Sequence, residues 1–483
     1  MLKRGDNLRD LLEELVKFGV EKGANFIDVR MQISYGSLYV VRDGIAETIR
    51  DTLSQGAGVR VLVDGAWGFA TSNSLDKDTL RNAIKDAISM ARGSANLRKR
   101  KTSLAEVDVV EDKVKAKVSK DPTTVSSEEK LEYALEINKN LFSLDKRVKS
   151  AQTQYSDEKI IQVYANSDGS YIEQEKIYIF FGADAMAIEN GIRASAREYN
   201  GSIKGYDIVL ENNPEDFAMI LVDRLRKQLK AKVAKGGVFP AVIGPRVIGL
   251  FTHEAFGHLS EADLAFSGAV TIQKIGQKVA SDIVTIVDDG TLPDAFGSIA
   301  YDDEGVRAQK TIVVKDGVLV SFLYDREMAK TFEEMINRIN PKLLEIFNVK
   351  PTGNARAENY RVPPIIRMRN TYIQPRDYSI EELFEDIKFG YYLVAPLGGQ
   401  ANLDGTFQGG TQEAYEIVNG EIGEPVRNVS FSGNTLETLM KIDAIGKDFD
   451  IRAGFCGKGQ TMYVGIGGPH VRVRELVIGG GGV

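Results

Sequence analysis

Runs of alternating apolar and polar residues, separated by Asp-Gly and Asn-Gly pairs, recur along the chain and limit what it can fold into. The clearest run, from residue 27 to residue 33, places Ile27, Val29, Met31 and Ile33 at every second position. This is the period of a half-buried strand. The paired turn residues favour tight hairpins, and they stand at Asp43-Gly44, Asp64-Gly65, Asp168-Gly169, Asp289-Gly290, Asp316-Gly317, Asp404-Gly405 and Asn419-Gly420. The sequence therefore predicts antiparallel sheets with short connections.

Helical segments interrupt these strands mainly in the first half of the chain. Apolar residues at helical spacing predict helices after the N-cap candidates Asn7, Ser74, Ser126 and Asn213. The order of helix and then strands occurs twice, which suggests two repeated units at about residues 1–95 and 120–235. Together they form a predicted amino-terminal α+β domain, residues 1–235.

Beyond Gly237 the character of the sequence changes. Glycines are frequent, helices are few, and short strands with turn signals dominate. This predicts a mainly antiparallel, barrel-like domain over residues 236–483, ending in a flexible glycine-rich tail from Gly479 to Val483. The fold class expected for the whole chain is α+β.

Composition excludes several classes of function. The net charge of -7, from 61 basic and 68 acidic residues, argues against bulk affinity for nucleic acid or anionic lipid. A single cysteine in 483 residues excludes an intramolecular disulfide and favours a reducing compartment. No apolar signal core follows the first residues, and the longest apolar stretch is too short to span a bilayer. We expect a cytoplasmic protein with neither nucleic-acid nor membrane partners.

Two of the three histidines, His253 and His258, lie in one short motif around Glu254. Imidazoles ligate zinc, and a neighbouring carboxylate that is not a ligand can take a proton from a zinc-bound water. The motif therefore indicates a metallohydrolase, with a buried strand at residues 239–243 and a helix from Pro245 leading into it.

The spacing of the two histidines does not suit a regular helix. Residues five apart are separated by roughly 140° around the axis, whereas residues four apart are separated by roughly 40°. A π-bulge would bring positions five apart into register, and an end at Gly257 would free His258 to turn back. We predict a helix that is distorted or has ended by residue 257.

A catalytic zinc site needs three protein ligands and an open position. The residues alone leave the third ligand open between Cys456, His470 and one of many acids. Cys456 lies in a glycine-flanked loop and His470 follows Gly467-Gly468-Pro469. A lone cysteine is also often a small buried hydrophobic residue.

Two further motifs have plain structural explanations. Asp302-Asp303-Glu304-Gly305 could line a cleft or bind a second cation, but a turn at a strand end is favoured. Gly398-Gly399 and Gly409-Gly410 lead into no Lys-Ser/Thr pair and helix start, so a nucleotide site is not expected.

The motifs together resemble the TldD/PmbA family, specifically its TldD branch. His253-Glu254-Ala255-Phe256-Gly257-His258 matches a His-Glu-x-x-x-His motif, and Cys456-Gly457-Lys458-Gly459-Gln460 matches a late Cys-Gly-Lys-x-Gly-Gln motif with one residue fewer. The resemblance implies that His253, His258 and Cys456 bind Zn²⁺, that Glu254 is the catalytic acid/base, and that His470 either has a structural role or supports the metal ligands without binding the metal.

The resemblance also implies an activity and partners. It implies a zinc metalloprotease that hydrolyses peptide bonds of unfolded peptides or proteins with low sequence specificity, with Glu254 activating a zinc-bound water. It implies a dimer with a second copy or with a PmbA-like paralogue. The alternatives are a non-enzymatic regulatory or binding subunit with a vestigial metal site, and a hydrolase of another amide or ester.

Overall fold

A computed structural model of the chain describes residues 8–480. The N-cap candidate Asn7 and the last three residues of the predicted tail lie outside that range. The described chain is 28% helical and 43% strand, with a closed five-stranded barrel in its carboxy-terminal region. The predicted α+β fold class with a barrel-like carboxy-terminal region is therefore confirmed.

The amino-terminal half combines long strands with amphipathic helices. Its helices are α1 (Leu8–Glu21), α2 (Lys77–Ala95), α3 (Ser127–Leu144), α4 (Asp207–Leu210) and α5 (Pro214–Lys230). Its strands are β1 (Phe26–Arg42), β2 (Ile45–Val63), β3 (Ala66–Ser72), β4 (Glu111–Val114), β5 (Val148–Asn166), β6 (Tyr171–Glu189) and β7 (Ile192–Ser202). The cap of α2 corrects the sequence prediction: Asp76, rather than Ser74, accepts the backbone N–H of Thr79.

The two helix-and-strand units share one sheet. Seven strands pair in the order β3-β2-β1-β5-β6-β4, and β7 also pairs with β6. The antiparallel pairing of β1 with β5, from Asp28 opposite Asn166 to Arg42 opposite Gln152, joins the two units. Helices α1 and α2 cover one apolar cluster of this sheet, whereas α3 and α5 cover another. The division of the chain into domains stays a prediction.

The carboxy-terminal half has many short strands. Its helices are α6 (Pro245–Phe251), α7 (Ala262–Phe266), α8 (Arg326–Ile339), α9 (Ile380–Phe384) and α10 (Thr435–Met440). Its strands are β8 (Lys232–Val233), β9 (Gly237–Ile243), β10 (Ile286–Asp289), β11 (Lys310–Lys315), β12 (Val318–Leu319), β13 (Ala355–Arg356), β14 (Ile365–Ile366), β15 (Asn370–Ile373), β16 (Phe389–Ala401), β17 (Thr406–Val418), β18 (Glu421–Arg427), β19 (Val429–Asn434), β20 (Ile442–Ile445), β21 (Asp450–Gly457), β22 (Thr461–Gly468) and β23 (Val471–Gly479).

A barrel and a second sheet divide these strands. The order β16-β9-β23-β19-β17 closes on itself because β16 also pairs with β17. The six-stranded sheet β12-β11-β10-β15-β22-β21 places the hairpin of β21 and β22 at its edge. Within residues 8–480, no helix has the length and apolar character needed to cross a bilayer.

The segment Asp302-Asp303-Glu304-Gly305 forms a turn beneath the amino-terminal sheet. Asp302 Oδ1 accepts the backbone N–H groups of Glu304 and Val306, each at 2.9 Å. Arg60 donates to Glu304 at 2.8 Å and to Asp28 at 2.6 Å. These paired charges are buried. They join the amino-terminal sheet to the carboxy-terminal half of the chain, which carries the histidine motif.

Candidate metal centre

Close packing between α6 and β22 brings distant parts of the chain together. Strand β9 leads into α6, which begins with Pro245, a residue tolerated in the first turn of a helix. A Cβ atom placed on Gly249 would lie 2.3 Å from the backbone nitrogen of Gly467. Only glycine permits this approach. Because β22 pairs with β21, the end of α6 lies beside the strand that carries Cys456.

The helix changes its winding where the histidines occur. Residues Thr252–Gly257 form a π-helical turn, and the backbone N–H of His258 donates to the carbonyl of His253. A short 3₁₀ turn, His258–Ser260, follows. A Cβ atom on Gly257 would lie 2.0 Å from Met368 Sδ, so a larger residue here would displace the buried Met368 side chain. The predicted helix distortion is confirmed: a π-turn places residues five apart in register.

The structure brings the three candidate ligands into one cluster. One potential ligand atom from each of His253, His258 and Cys456 lies within 4.8 Å of the other two. Cys456 Sγ lies 3.2 Å from His258 Nε2. These residues are separated by about 200 positions in the chain, so tertiary packing creates the cluster. Their role as metal ligands stays a prediction.

His253 has the environment of a ligand that lacks a protein partner. Its side chain is fully buried, and neither ring nitrogen has a hydrogen-bond partner among the described residues. Buried polar atoms are normally satisfied, so such an atom calls for an explanation. Burial, followed by the positive charges of His258, Arg367 and Arg356, lowers the pKa of His253 well below its usual range. The ring is therefore neutral and has a lone pair to give.

His258 lies between Glu261 and Cys456. Its Nδ1 lies 2.9 Å from Glu261 Oε2, while Nε2 faces Cys456. Burial opposes the charged ring, but the contacts with Cys456 and Glu261 outweigh burial and raise the pKa of His258 to about 10. A metal ion must compete with that proton. Glu261 and Cys456, which favour a proton on the His258 ring, also favour a metal cation bound at Nε2.

Glu254 lies at the open side of the cluster. Its side chain is 28% exposed, and Oε2 lies 3.9 Å from His258 Nε2. Burial raises the pKa of Glu254 above its usual value, although the positive charge of His258 opposes this shift. A carboxylate of raised pKa beside the candidate ligands, and outside their 4.8 Å cluster, is suited to exchange protons with a reacting group.

His470 lies in a different environment. Its Nδ1 pairs with Asp448 at 2.8 Å and its Nε2 with the Tyr392 hydroxyl at 2.8 Å. Both ring nitrogens are therefore occupied by protein partners. This arrangement fits the structural role that the family resemblance implies.

Sequence reasoning missed the residues that hold the cluster together. Lys458, two positions after Cys456, donates to Glu261 at 3.1 Å and to Asp263 at 2.7 Å. Arg367 donates to the carbonyl of Cys456 at 2.6 Å. The position of Glu261, three residues after His258, was the one available signal, because residues three apart share a helix face.

The residues present fit a zinc ion. Two imidazoles and a thiol are the nitrogen and sulfur donors that zinc prefers. One of these imidazoles is buried and has no partner among the residues that the structure describes. An acid that is not part of the donor set stands beside them. This arrangement is typical of the class of metal-dependent hydrolases.

Comparison with known proteins identifies the family. Models of the PmbA/TldA metallopeptidase domains match in order: domain 1 over residues 27–91, the central domain over 120–232 and the C-terminal domain over 236–480. The chain therefore belongs to the PmbA/TldA metallopeptidase family, in agreement with the resemblance found in the sequence. Members of this family are enzymes of the metallopeptidase class.

Relatives match over nearly the whole chain. A metalloprotease of Methanocaldococcus jannaschii is 36% identical over 469 residues, covering 96% of this chain and 98% of the relative. A zinc metalloprotease TldD homolog of Saccharolobus solfataricus is 32% identical, covering 96% and 99%. These names support a metal-dependent protease.

Solved structures share the fold. A protein from Thermotoga maritima, described as a modulator of DNA gyrase, superposes with a TM-score of 0.76 at 21% identity and covers 98% of this chain and 100% of its own. TldE from Thermococcus kodakarensis gives a TM-score of 0.72 at 20% identity, covering 97% and 100%. At this level of identity the likeness concerns the fold alone.

Proposed function

We propose that this protein is a zinc metalloprotease that hydrolyses peptide bonds of unfolded peptides with low sequence specificity. The observation that carries the proposal is the cluster of His253, His258 and Cys456, in which the fully buried His253 has no hydrogen-bond partner within residues 8–480. The alternative of a regulatory subunit with a vestigial site requires that an intact donor set and an adjacent acid be retained without use.

The residues around the cluster suggest how they divide the chemistry. A zinc ion bound by the three donors would supply Lewis acidity, lowering the pKa of a water molecule and polarising the scissile carbonyl. Glu254 would accept the proton of the attacking water and return it to the leaving amine. Burial of Glu254 supports this role because it raises the pKa of the carboxyl above its usual value.

The position of Cys456 supports an extended peptide substrate. Strand β21 lies at the edge of the six-stranded sheet and ends one residue after Cys456. An edge strand can pair with an extended peptide through main-chain hydrogen bonds, which depend little on side chains. Low sequence specificity and a requirement for unfolded substrate both follow from this mode of binding.

The setting of the enzyme is also part of the proposal. The single cysteine and the net charge of -7 support a cytoplasmic protein without nucleic-acid or membrane partners. A dimer, with a second copy or with a PmbA-like paralogue, would help to enclose a protease of low specificity.

A panel of unstructured peptides and one stably folded protein tests the proposal. The zinc-loaded enzyme is expected to cleave many peptides and to spare the folded protein. Glu254→Gln is expected to reduce cleavage by about 10²- to 10⁴-fold, the usual contribution of a general acid/base, with zinc content unchanged. Glu421→Gln, an acid exposed on β18, is the matched control.

Three results would contradict the proposal. Absence of cleavage across the panel by zinc-loaded protein would favour a regulatory subunit. Cleavage that survives Glu254→Gln would remove the proposed base. Hydrolysis confined to small amides or esters would favour the alternative hydrolase.

A further inference from the structure

Glu261 is a fully buried carboxylate in contact with the histidine motif. Its Oε2 lies 2.9 Å from His258 Nδ1 and 3.1 Å from Lys458 Nζ. Its Oε1 has no hydrogen-bond partner among the described residues, and Arg367 Nε lies 3.8 Å away. A buried charge is unfavourable unless it is paired, so the position of Glu261 depends on these contacts.

Glu261 does not cap the helix that follows it, although its position would allow this. Glu261 is the N-cap residue of α7, where a side-chain oxygen commonly accepts a backbone N–H of the first helical turn. The Glu261 side chain makes no such capping bond. It turns instead towards His258 and Lys458.

We propose that Glu261 is a positioning residue that fixes His258 for metal binding. The proposal rests on the proposed zinc site. A carboxylate at Nδ1 keeps the proton on that nitrogen, so the lone pair of the neutral ring lies on Nε2, which faces Cys456. Carboxylate partners of this kind orient metal-bound histidines and make them stronger donors.

Glu261 also connects the two segments that supply the donors. Lys458 stands two residues after Cys456 and bonds to Glu261, to Asp263 and to the carbonyl of Ile366. One carboxylate therefore contacts both His258 and the loop that follows Cys456. Through these contacts Glu261 sets the ring orientation of His258 and the distance between the two donors.

Zinc affinity measured by competition with a chromophoric chelator tests the proposal without an activity assay. We expect Glu261→Gln, which keeps an acceptor but loses the charge, to weaken zinc binding about 10-fold. Glu261→Met, which loses both, should weaken it about 100-fold, the range known for lost outer partners of metal ligands. Thermal unfolding of each variant checks that it is folded.

Asp263→Asn is the matched control. It removes one negative charge from beside the same lysine, but among the described residues no hydrogen bond or ion pair joins Asp263 to His258. We expect less than a threefold change in zinc affinity. Equal losses in Asp263→Asn and Glu261→Gln would show a general charge effect and would overturn the proposal.

A spectroscopic measurement on the unaltered protein tests the role of Glu261 without any substitution. With only three histidines in the chain, ¹⁵N NMR of the zinc-loaded protein can assign each ring. We expect His258 to carry its proton on Nδ1 and the metal on Nε2. Metal on Nδ1, or zinc affinity unchanged by Glu261→Gln, would refute the role of Glu261 alone. A wild-type protein that binds no zinc would refute the proposed function and this inference together.

Discussion

The carboxy-terminal half of this protein buries its histidines in two contrasting environments. His470 pairs through both nitrogens, with Asp448 and with the Tyr392 hydroxyl. His258 also has a carboxylate at Nδ1, but its Nε2 faces the thiol of Cys456. In the part of the chain that the structure describes, His253 has no hydrogen-bond partner at either nitrogen.

The two environments differ in the partners of the imidazole nitrogens. Asp448 and Tyr392 provide a full set of protein partners, so His470 needs no ion. The cluster of His253, His258 and Cys456 leaves donor atoms facing one another. A carboxylate beside a histidine therefore does not distinguish a structural residue from a candidate metal ligand, whereas a ring nitrogen that is unpaired or that faces another potential donor atom does.

The largest effect is expected when one proposed donor is removed. Cys456→Ala should lower zinc affinity by about 10³-fold or more, because a few ligands share the roughly 10–16 kcal/mol that zinc sites can provide. Peptidase activity should fall with the bound zinc. His470→Ala should keep its zinc. Metal content after dialysis is measured for both variants. Equal zinc loss in both would contradict the assignment of Cys456, rather than His470, to the metal site.

Removal of the metal from the unaltered protein should give the next largest effect. A ligand held at 1,000 times its dissociation constant stabilises the folded state by about 4 kcal/mol, and chelation should abolish that contribution. Calorimetry with and without a chelator gives the change in unfolding temperature. His470→Ala should show the same zinc-dependent shift as the unaltered protein. An unfolding temperature that does not respond to zinc would contradict a site built from buried donors.

The smallest expected effect is on the free energy of unfolding of the metal-free protein. Its sign is opposite at His253 and at His470. An unpaired buried polar group destabilises a protein by about 1–3 kcal/mol. His253→Leu should therefore raise the free energy of unfolding of the metal-free protein by up to that amount. His470→Leu should lower it by a similar amount, because Asp448 and the partly buried Tyr392 hydroxyl would lose their hydrogen-bond partner.

Urea unfolding of both leucine variants in the presence of chelator measures this difference. Destabilisation by His253→Leu equal to that by His470→Leu would show that His253 contributes to the core as an ordinary packed residue.

Much of the fold could be predicted because its signals are local. Alternation at residues 27–33 and the Asp-Gly pairs indicated antiparallel strands joined by tight turns, and β1 and β2 connect through the turn at Asp43 and Gly44. The cap of α2 was misassigned by two residues, because Ser74 and Asp76 are both good N-cap residues and only the backbone geometry selects Asp76.

The candidate site was predicted less completely. The histidine spacing indicated a distorted helix by geometry alone, and the π-turn agrees with it. The residues themselves did not choose among Cys456, His470 and the acids as the third donor; that choice came from the resemblance to a family. No local pattern showed that Glu261, Lys458 and Arg367 would surround the cluster, because their partners lie far away along the chain.

By itself the sequence determined the element types, the strained spacing of His253 and His258, and the kind of chemistry that two imidazoles, an acid and a thiol can perform. The element types and the histidine spacing depend on residues within a few positions of one another, and the chemistry depends on the residue types present. Only the tertiary structure decided that His253 stays unpaired among the described residues and that Cys456 lies beside His258. That outcome depends on Gly249 of α6 packing against Gly467 of β22, a contact between segments about 200 residues apart.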